Sequence, residues 1–150
     1  MKTFTAVLTT IRSDSHTWNL VFMHIWLCEH GLIVTNLGSC VPESEVAQHC
    51  RLQQPDLLVV STVNGHGGFE GESLIRTLAS SVDLSKTVTV IGGKLATGPE
   101  QEITQIERLQ RAGFDAVLTG QAALQSLTGL IALMQRNSLR TKQMRSVSGL

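Results

Sequence analysis

Leu57-Leu58-Val59-Val60-Ser61-Thr62, followed at once by Val63-Asn64-Gly65-His66-Gly67-Gly68, is the stretch on which the reading of this chain turns. The apolar run is continuous where a strand with one wet face would alternate, and continuous runs belong to parallel strands covered on both sides by helices. The glycine-rich segment behind it reads as a loop leaving the end of that strand.

Working outward, the same grammar recurs. Short runs rich in Val, Ile, Leu and Thr predict strands over residues 4–11, 32–37, 57–62, 88–91 and 116–118. Between them, longer amphipathic segments predict helices near residues 17–30, 42–53, 71–80, 99–112 and 124–135, with no internal repeat. Pro42 and Pro99 suit first-turn positions, and Glu43, Glu45, Glu100 and Glu102 favour the positive end of each helix dipole. Gly31 and Gly113 suit the residue that stops a helix before the next strand. Strict strand–helix alternation over 150 residues predicts a single doubly wound α/β domain with a five-stranded parallel sheet, flavodoxin-like or Rossmann-like. The core domain is expected to occupy residues 1–135. Residues 136–150, which carry Arg136, Arg140, Lys142 and Arg145 among serines, are expected to form a basic, flexible tail.

Composition narrows the function. Twelve basic and twelve acidic residues leave a formal net charge of zero, which gives no field to hold nucleic acid or anionic lipid. Cys28, Cys40 and Cys50 are odd in number with no close pair, so neither a disulfide framework nor a zinc knuckle is indicated. No run approaches the roughly 18 apolar residues of a membrane span and the start lacks a signal-peptide core, so a cytoplasmic protein with no membrane partner is expected.

Ligands of such sheets sit beyond the carboxyl ends of the strands, where strand order reverses. The residues there are Ser13-Asp14-Ser15-His16 after the first strand, Ser61 to Gly68 after the third, Gly92-Gly93 after the fourth and Gly120 after the fifth. Glycines at such positions make tight turns or leave room for something lying against the backbone. In Asp14-Ser15-His16 one imidazole nitrogen can bind a metal while the carboxylate fixes the other. The same residues can equally be a helix cap. Three occupants of the fold fail on residues. A phospho-acceptor receiver needs an Asp where the third strand ends in Val59-Val60-Ser61. A flavodoxin phosphate would be repelled by Asp14. A dinucleotide site needs G-x-G-x-x-G at the first helix, and the chain has none there.

Asp14-Ser15-His16-Thr17-Trp18-Asn19 resembles the D-x-H-x-x-G motif of cobalamin-binding domains; Ser61-Thr62-Val63 is similar to their S-x-L, and Gly92-Gly93 to their G-G. By length and spacing the likeness is greatest to the small, cobalamin-binding subunits of glutamate (methylaspartate) mutases. The resemblance implies that His16 is the lower axial ligand to cobalt, with Asp14 bonded behind it. It implies that Ser61 bonds the displaced dimethylbenzimidazole and that Val63, Gly65, Gly92, Gly93 and Gly120 line the slot for the nucleotide tail, with Ser13, Ser15 and Thr17 completing the first loop. It further implies a cofactor-binding subunit with no catalytic residue of its own. That subunit presents adenosylcobalamin to a separate large barrel subunit, in a hetero-oligomer that rearranges glutamate to 3-methylaspartate. A methylcobalamin carrier for a methyltransferase, or a cobalamin-responsive regulatory module, would use the same fold. The chain departs from the motif at Asn19, which stands where the family has glycine and is able to crowd the corrin or the helix opening. Arg12 replaces a small residue and Val63 replaces leucine. Lys94 is placed either to reach a tail phosphate or to stand in solvent, and His66 either to touch the cofactor edge or to lie exposed on its loop. His24 and His30 are expected to serve packing and surface, not a metal.

Overall fold

The computed structural model describes residues 3–147. Five strands, β1 (Thr5–Thr9), β2 (Ile33–Asn36), β3 (Leu57–Thr62), β4 (Val88–Gly93) and β5 (Ala116–Leu118), alternate with α1 (Trp18–Glu29), α2 (Glu43–Gln53), α3 (Gly67–Ser81), α4 (Pro99–Ala112) and α5 (Ala123–Val147). The sheet is wholly parallel in the order β2-β1-β3-β4-β5. The chain therefore runs outward from β1 in one direction and from β3 in the other, and the gap between the loops after β1 and β3 is the switch point at which such folds bind ligands.

Two apolar layers follow from alternate residues of the same strands. Val7, Leu58, Val60 and Ile91 face α2, α3 and α4 with Val46, Leu74, Leu78 and Leu109. Ala6, Leu8, Leu57, Val59 and Val90 face α1 and α5 with Leu20, Met23, Leu27, Leu127 and Ile131. Leu57 to Val60 are each 0–3% exposed, and each such side chain contributes ~1.5–3 kcal/mol of burial, which is why β3 carries no polar residue until Ser61.

The expected boundaries hold for β3, β5 and α4, whose Pro99 lies in the first turn and whose Gly113, at φ 130°, ends the helix. Gly31 likewise takes positive φ behind α1. Two differences bear on the site. α3 starts at Gly67, four residues ahead of the expected start, because Gly67 and Gly68 are buried in its first turn. A Cβ on Gly67 would come within 2.5 Å of Thr62 Cγ2, and one on Gly68 within 2.5 Å of the Gln105 side chain. These glycines bring α3 close to β3 and α4. Gly92 and Gly93 are likewise the last two residues of β4, not a loop, paired with Ser61 and Thr62. At the C-terminus α5 continues without a break through the expected 135/136 boundary. The last part of the expected tail, residues 148–150, lies outside the described residues. Among the described residues no helix is long and apolar enough to cross a membrane.

Candidate functional site

The first loop is organised around one carboxylate. Asp14 is 0% exposed, and both its oxygens are filled. Oδ2 accepts the Thr62 hydroxyl at 2.9 Å and the Val63 N–H at 2.8 Å, and Oδ1 accepts the His16 N–H at 3.0 Å. Oδ1 also lies 2.7 Å from His16 Nδ1. Burial alone would raise the carboxyl's pKa, but the bonds from Val63, His16 and Thr62 together outweigh it and bring it down to about 2. Asp14 is therefore an anion at every physiological pH. With Asp14 an acceptor only, the His16 proton in the neutral ring sits on Nδ1, and Nε2 is left as the lone-pair nitrogen. The His16 side chain is 59% exposed, so that nitrogen is held in a defined direction yet open to a ligand.

Further bonds tie the neighbouring loops together. Asn64 Nδ2 donates to Ser13 Oγ at 3.0 Å, the Ser13 hydroxyl donates to Glu70, and Arg12 Nε donates to Glu70 Oε1 at 3.1 Å. Cys40 N–H, in the segment after β2, donates to the Asp14 carbonyl at 3.0 Å. The loops after β1, β2 and β3 thus share one polar lattice centred on Asp14. Arg12, a departure from the family pattern, is turned towards α3 by its pairing with Glu70.

On the α1/α5 side of the sheet a cavity of about 180 Å³ opens beside the same rim. Val59, Val60 and Ser61 of β3, Val90, Gly92 and Gly93 of β4, and Leu118 of β5 form its inner wall. Phe22 and Met23 of α1 and Ala123, Leu124 and Leu127 of α5 form the outer one. The cavity is smaller than the ~300–1,000 Å³ of a pocket that encloses a whole drug-sized ligand, so its size suits one flat ring system. Its walls are apolar apart from the Ser61 hydroxyl. Phe22 at 53% and Leu124 at 36% exposure are large apolar side chains left uncovered at its edge.

The residues singled out in sequence fall into groups. Asp14 and His16 form the bonded pair. Ser61, Gly92 and Gly93 line the cavity, and Val63 supplies the N–H on Asp14. Gly92 and Gly93 also answer to the sheet: a Cβ on Gly92 would lie 2.7 Å from the Leu118 carbonyl oxygen, and one on Gly93, at φ 104°, would overlap the Thr62 carbonyl. Ser13 binds loop to loop, Thr17 accepts the first α1 N–H bonds through its carbonyl, and Ser15 is exposed. Gly65 and Gly120 take φ of 86° and 79° in turns after β3 and β5, and neither lines the cavity. Lys94 is exposed, with its Cε near Gly65, and His66 is exposed with its N–H on Asn64 Oδ1. His30 stacks on Trp26 with ring centroids 3.8 Å apart. Sequence reading missed Thr62, Asn64 and Glu70 as supports. It also missed the apolar lining, whose residues carry no signal that separates them from core.

No protein-family model matches the chain. A glutamate mutase sigma subunit from Halobacterium salinarum is 32% identical over 128 residues, covering 85% of this chain and 84% of that protein. One from Escherichia coli O157:H7 is 26% identical over 144 residues, covering 95% of this chain and 96% of its own length. Among solved structures, a cobalamin-binding protein from Desulfitobacterium hafniense superposes with a TM-score of 0.66 at 19% identity. That match takes in 89% of this chain but 58% of the other, so the chain spans little more than half of that protein, and the likeness speaks for the fold. At 32% identity to a sigma subunit over 85% of this chain and 84% of that one, this protein belongs to the glutamate mutase sigma subunit family.

Proposed function

We propose that this chain binds cobalamin with His16 as the lower axial ligand to cobalt and presents it, as adenosylcobalamin, to a separate barrel subunit. That subunit, in a cytoplasmic hetero-oligomer, interconverts glutamate and 3-methylaspartate. The observation that carries the reading is the Asp14–His16 pair: a buried carboxylate with four bonds, 2.7 Å from an exposed imidazole, beside an apolar cavity with one hydroxyl.

The residues present fit the cofactor. One neutral imidazole would be the whole of the protein's share in such a cobalt site, because the cofactor would bring its other cobalt ligands with it. The carboxylate behind it fixes the tautomer and raises the basicity of the ligating nitrogen. A benzimidazole displaced from cobalt is a flat apolar ring with one acceptor nitrogen, and the cavity offers apolar walls with the Ser61 hydroxyl to meet it. Bound here, the adenosyl cofactor supplies a weak cobalt–carbon bond as its source of radical chemistry. His16 holds the lower face, Asp14 sets the direction of His16, and Ser61 with Gly92 and Gly93 receives the tail. Similarity to sigma subunits over 95% of the chain favours the mutase role over a methyl carrier or a regulatory module.

The test is a visible-spectrum titration of the purified protein with cobalamin, followed by assay with a barrel partner. Wild type is expected to give the spectrum of histidine-ligated, base-displaced cobalamin, and His16→Ala to lose it. With the partner, adenosylcobalamin and glutamate, 3-methylaspartate should form. Cobalt that keeps its own benzimidazole in the wild-type complex sinks the reading.

A further inference from the structure

Asn19 stands one helical turn ahead of Phe22 and Met23, which line the cavity, and it occupies the position where the family motif has a glycine with no side chain to place. Its Nδ2 lies 3.3 Å from the Ser61 carbonyl oxygen and 3.4 Å from Ser61 Oγ. The orientation of this amide is dictated by its partners. A carbonyl oxygen only accepts, so the amide must turn its NH₂ towards Ser61, and Oδ1 is left buried with no bond among the described residues. Leaving that oxygen unpaired carries a penalty of its own, which the NH₂ contacts must offset.

The consequence falls on Ser61. A hydroxyl has one proton and two lone pairs. With a lone pair facing the Asn19 NH₂, Ser61 Oγ acts as acceptor on that side, and its proton has no acceptor among the described residues. Ser61 itself lines the cavity, so the uncommitted proton is free for whatever enters. A glycine at position 19 would leave the hydroxyl to rotate.

We propose that Asn19 is a positioning residue that fixes the Ser61 hydroxyl as a donor into the cavity, and so selects a tail ring with an unprotonated acceptor nitrogen. The inference rests on the cobalamin reading above and deepens it: the substitution that departs from the motif strengthens recognition of the tail and does not obstruct it. Asn19→Asp sharpens the point, because a carboxylate has no N–H for the Ser61 carbonyl and would accept the Ser61 proton, turning it away from the cavity.

The experiment measures dissociation constants by spectral titration for two probes, cobalamin and cobinamide, which has the corrin but no nucleotide tail. Asn19→Ala is expected to weaken cobalamin about fivefold and Asn19→Asp about tenfold or more, the range of one lost neutral hydrogen bond and of one reversed. Both variants should bind cobinamide within about twofold of wild type, which also certifies their fold. In a Ser61→Ala background, Asn19→Ala should cost nothing further, as a double-mutant cycle requires of a residue that acts through Ser61. Asn19→Ala binding cobalamin as tightly as wild type, or tighter, overturns the inference. So does an equal loss for both probes, or a full loss in the Ser61→Ala background. Failure of the wild type to show histidine ligation overturns the cobalamin reading instead.

Discussion

At the amino-end rim of the sheet, Asp56 Oδ2 accepts the Thr5 N–H at 2.9 Å, and Asp115 Oδ2 accepts the Thr89 N–H at 2.8 Å and the Thr89 hydroxyl at 3.2 Å. At the carboxyl-end rim, Asp14 Oδ2 does the same with the Val63 N–H and the Thr62 hydroxyl. The three carboxylates solve one problem: a strand end leaves backbone donors that must be satisfied. The difference lies in the second oxygen. Asp14 Oδ1 is given to His16, through both its N–H and its ring, and the ring stands half in solvent. The same structural device becomes a site where one of its bonds ends on a group with a spare nitrogen. The amino-end rim closes the fold, whereas the carboxyl-end rim closes the fold and also fixes the direction of an exposed imidazole.

Changes at the carboxyl-end rim should therefore affect both stability and binding. The largest effect is expected at Gly93, whose φ of 104° and contact with the Thr62 carbonyl leave no space for a methyl group. Gly93→Ala should cost about 4 kcal/mol or prevent folding, as measured by urea denaturation, since backbone has to move to admit the side chain. A nearly neutral Gly93→Ala would mean that β4 and β3 lie further apart at this rim than a methyl group requires.

Asp14→Ala comes next. It strands the Thr62 hydroxyl, the Val63 N–H and the His16 N–H together, and about 3 kcal/mol should be lost at pH 7. Cobalamin affinity should fall by roughly 10–100-fold, the usual effect of removing the partner of a metal-bound histidine. The stability loss has a pH signature. Because folding lowers the Asp14 pKa from 3.8 to about 2, its charged form stabilises the native state fully above pH 3.8. That contribution, about 2 kcal/mol, drains away as pH falls from there through 2. The gap between wild type and Asp14→Ala should narrow over the same interval, as followed by denaturation at stepped pH. A gap independent of pH would mean that the carboxylate's charge is not what holds the loops.

How far the sequence carried this picture depends on whether the signal was local. β3 and α4 are legible because their cues lie within them: an unbroken apolar run in one, Pro99 and Gly113 bracketing the other. The start of α3 is not, because Gly67 and Gly68 look like loop residues, and only Thr62 and Gln105, brought near by folding, show why the helix needs them bare. Asp14 and His16 were readable as a pair because they are two apart. The bond from Asn19 to Ser61 crosses 42 residues, and at position 19 the sequence registered only the missing glycine. The cavity was least legible of all. Its lining comes from five elements whose apolar residues would read the same had they closed on one another.

Asp115→Ala is the smallest change and the one that divides the two rims most cleanly. It removes the acceptor for the Thr89 N–H and one of the two acceptors of the Thr89 hydroxyl, which keeps the Gly113 carbonyl, but touches nothing near His16 or Ser61. Because Asp115 is exposed, water can take over part of what the carboxylate does. The expected loss is therefore about 1–2 kcal/mol in urea denaturation, below that for Asp14→Ala. Cobalamin affinity should stay within about twofold of wild type, because a strand-end bond at one rim does not set the direction of a side chain at the other. If Asp115→Ala weakened cobalamin as much as Asp14→Ala does, the carboxyl-end rim would owe its binding to the rigidity of the whole sheet. The local hold of Asp14 on one imidazole would then have no special part in it.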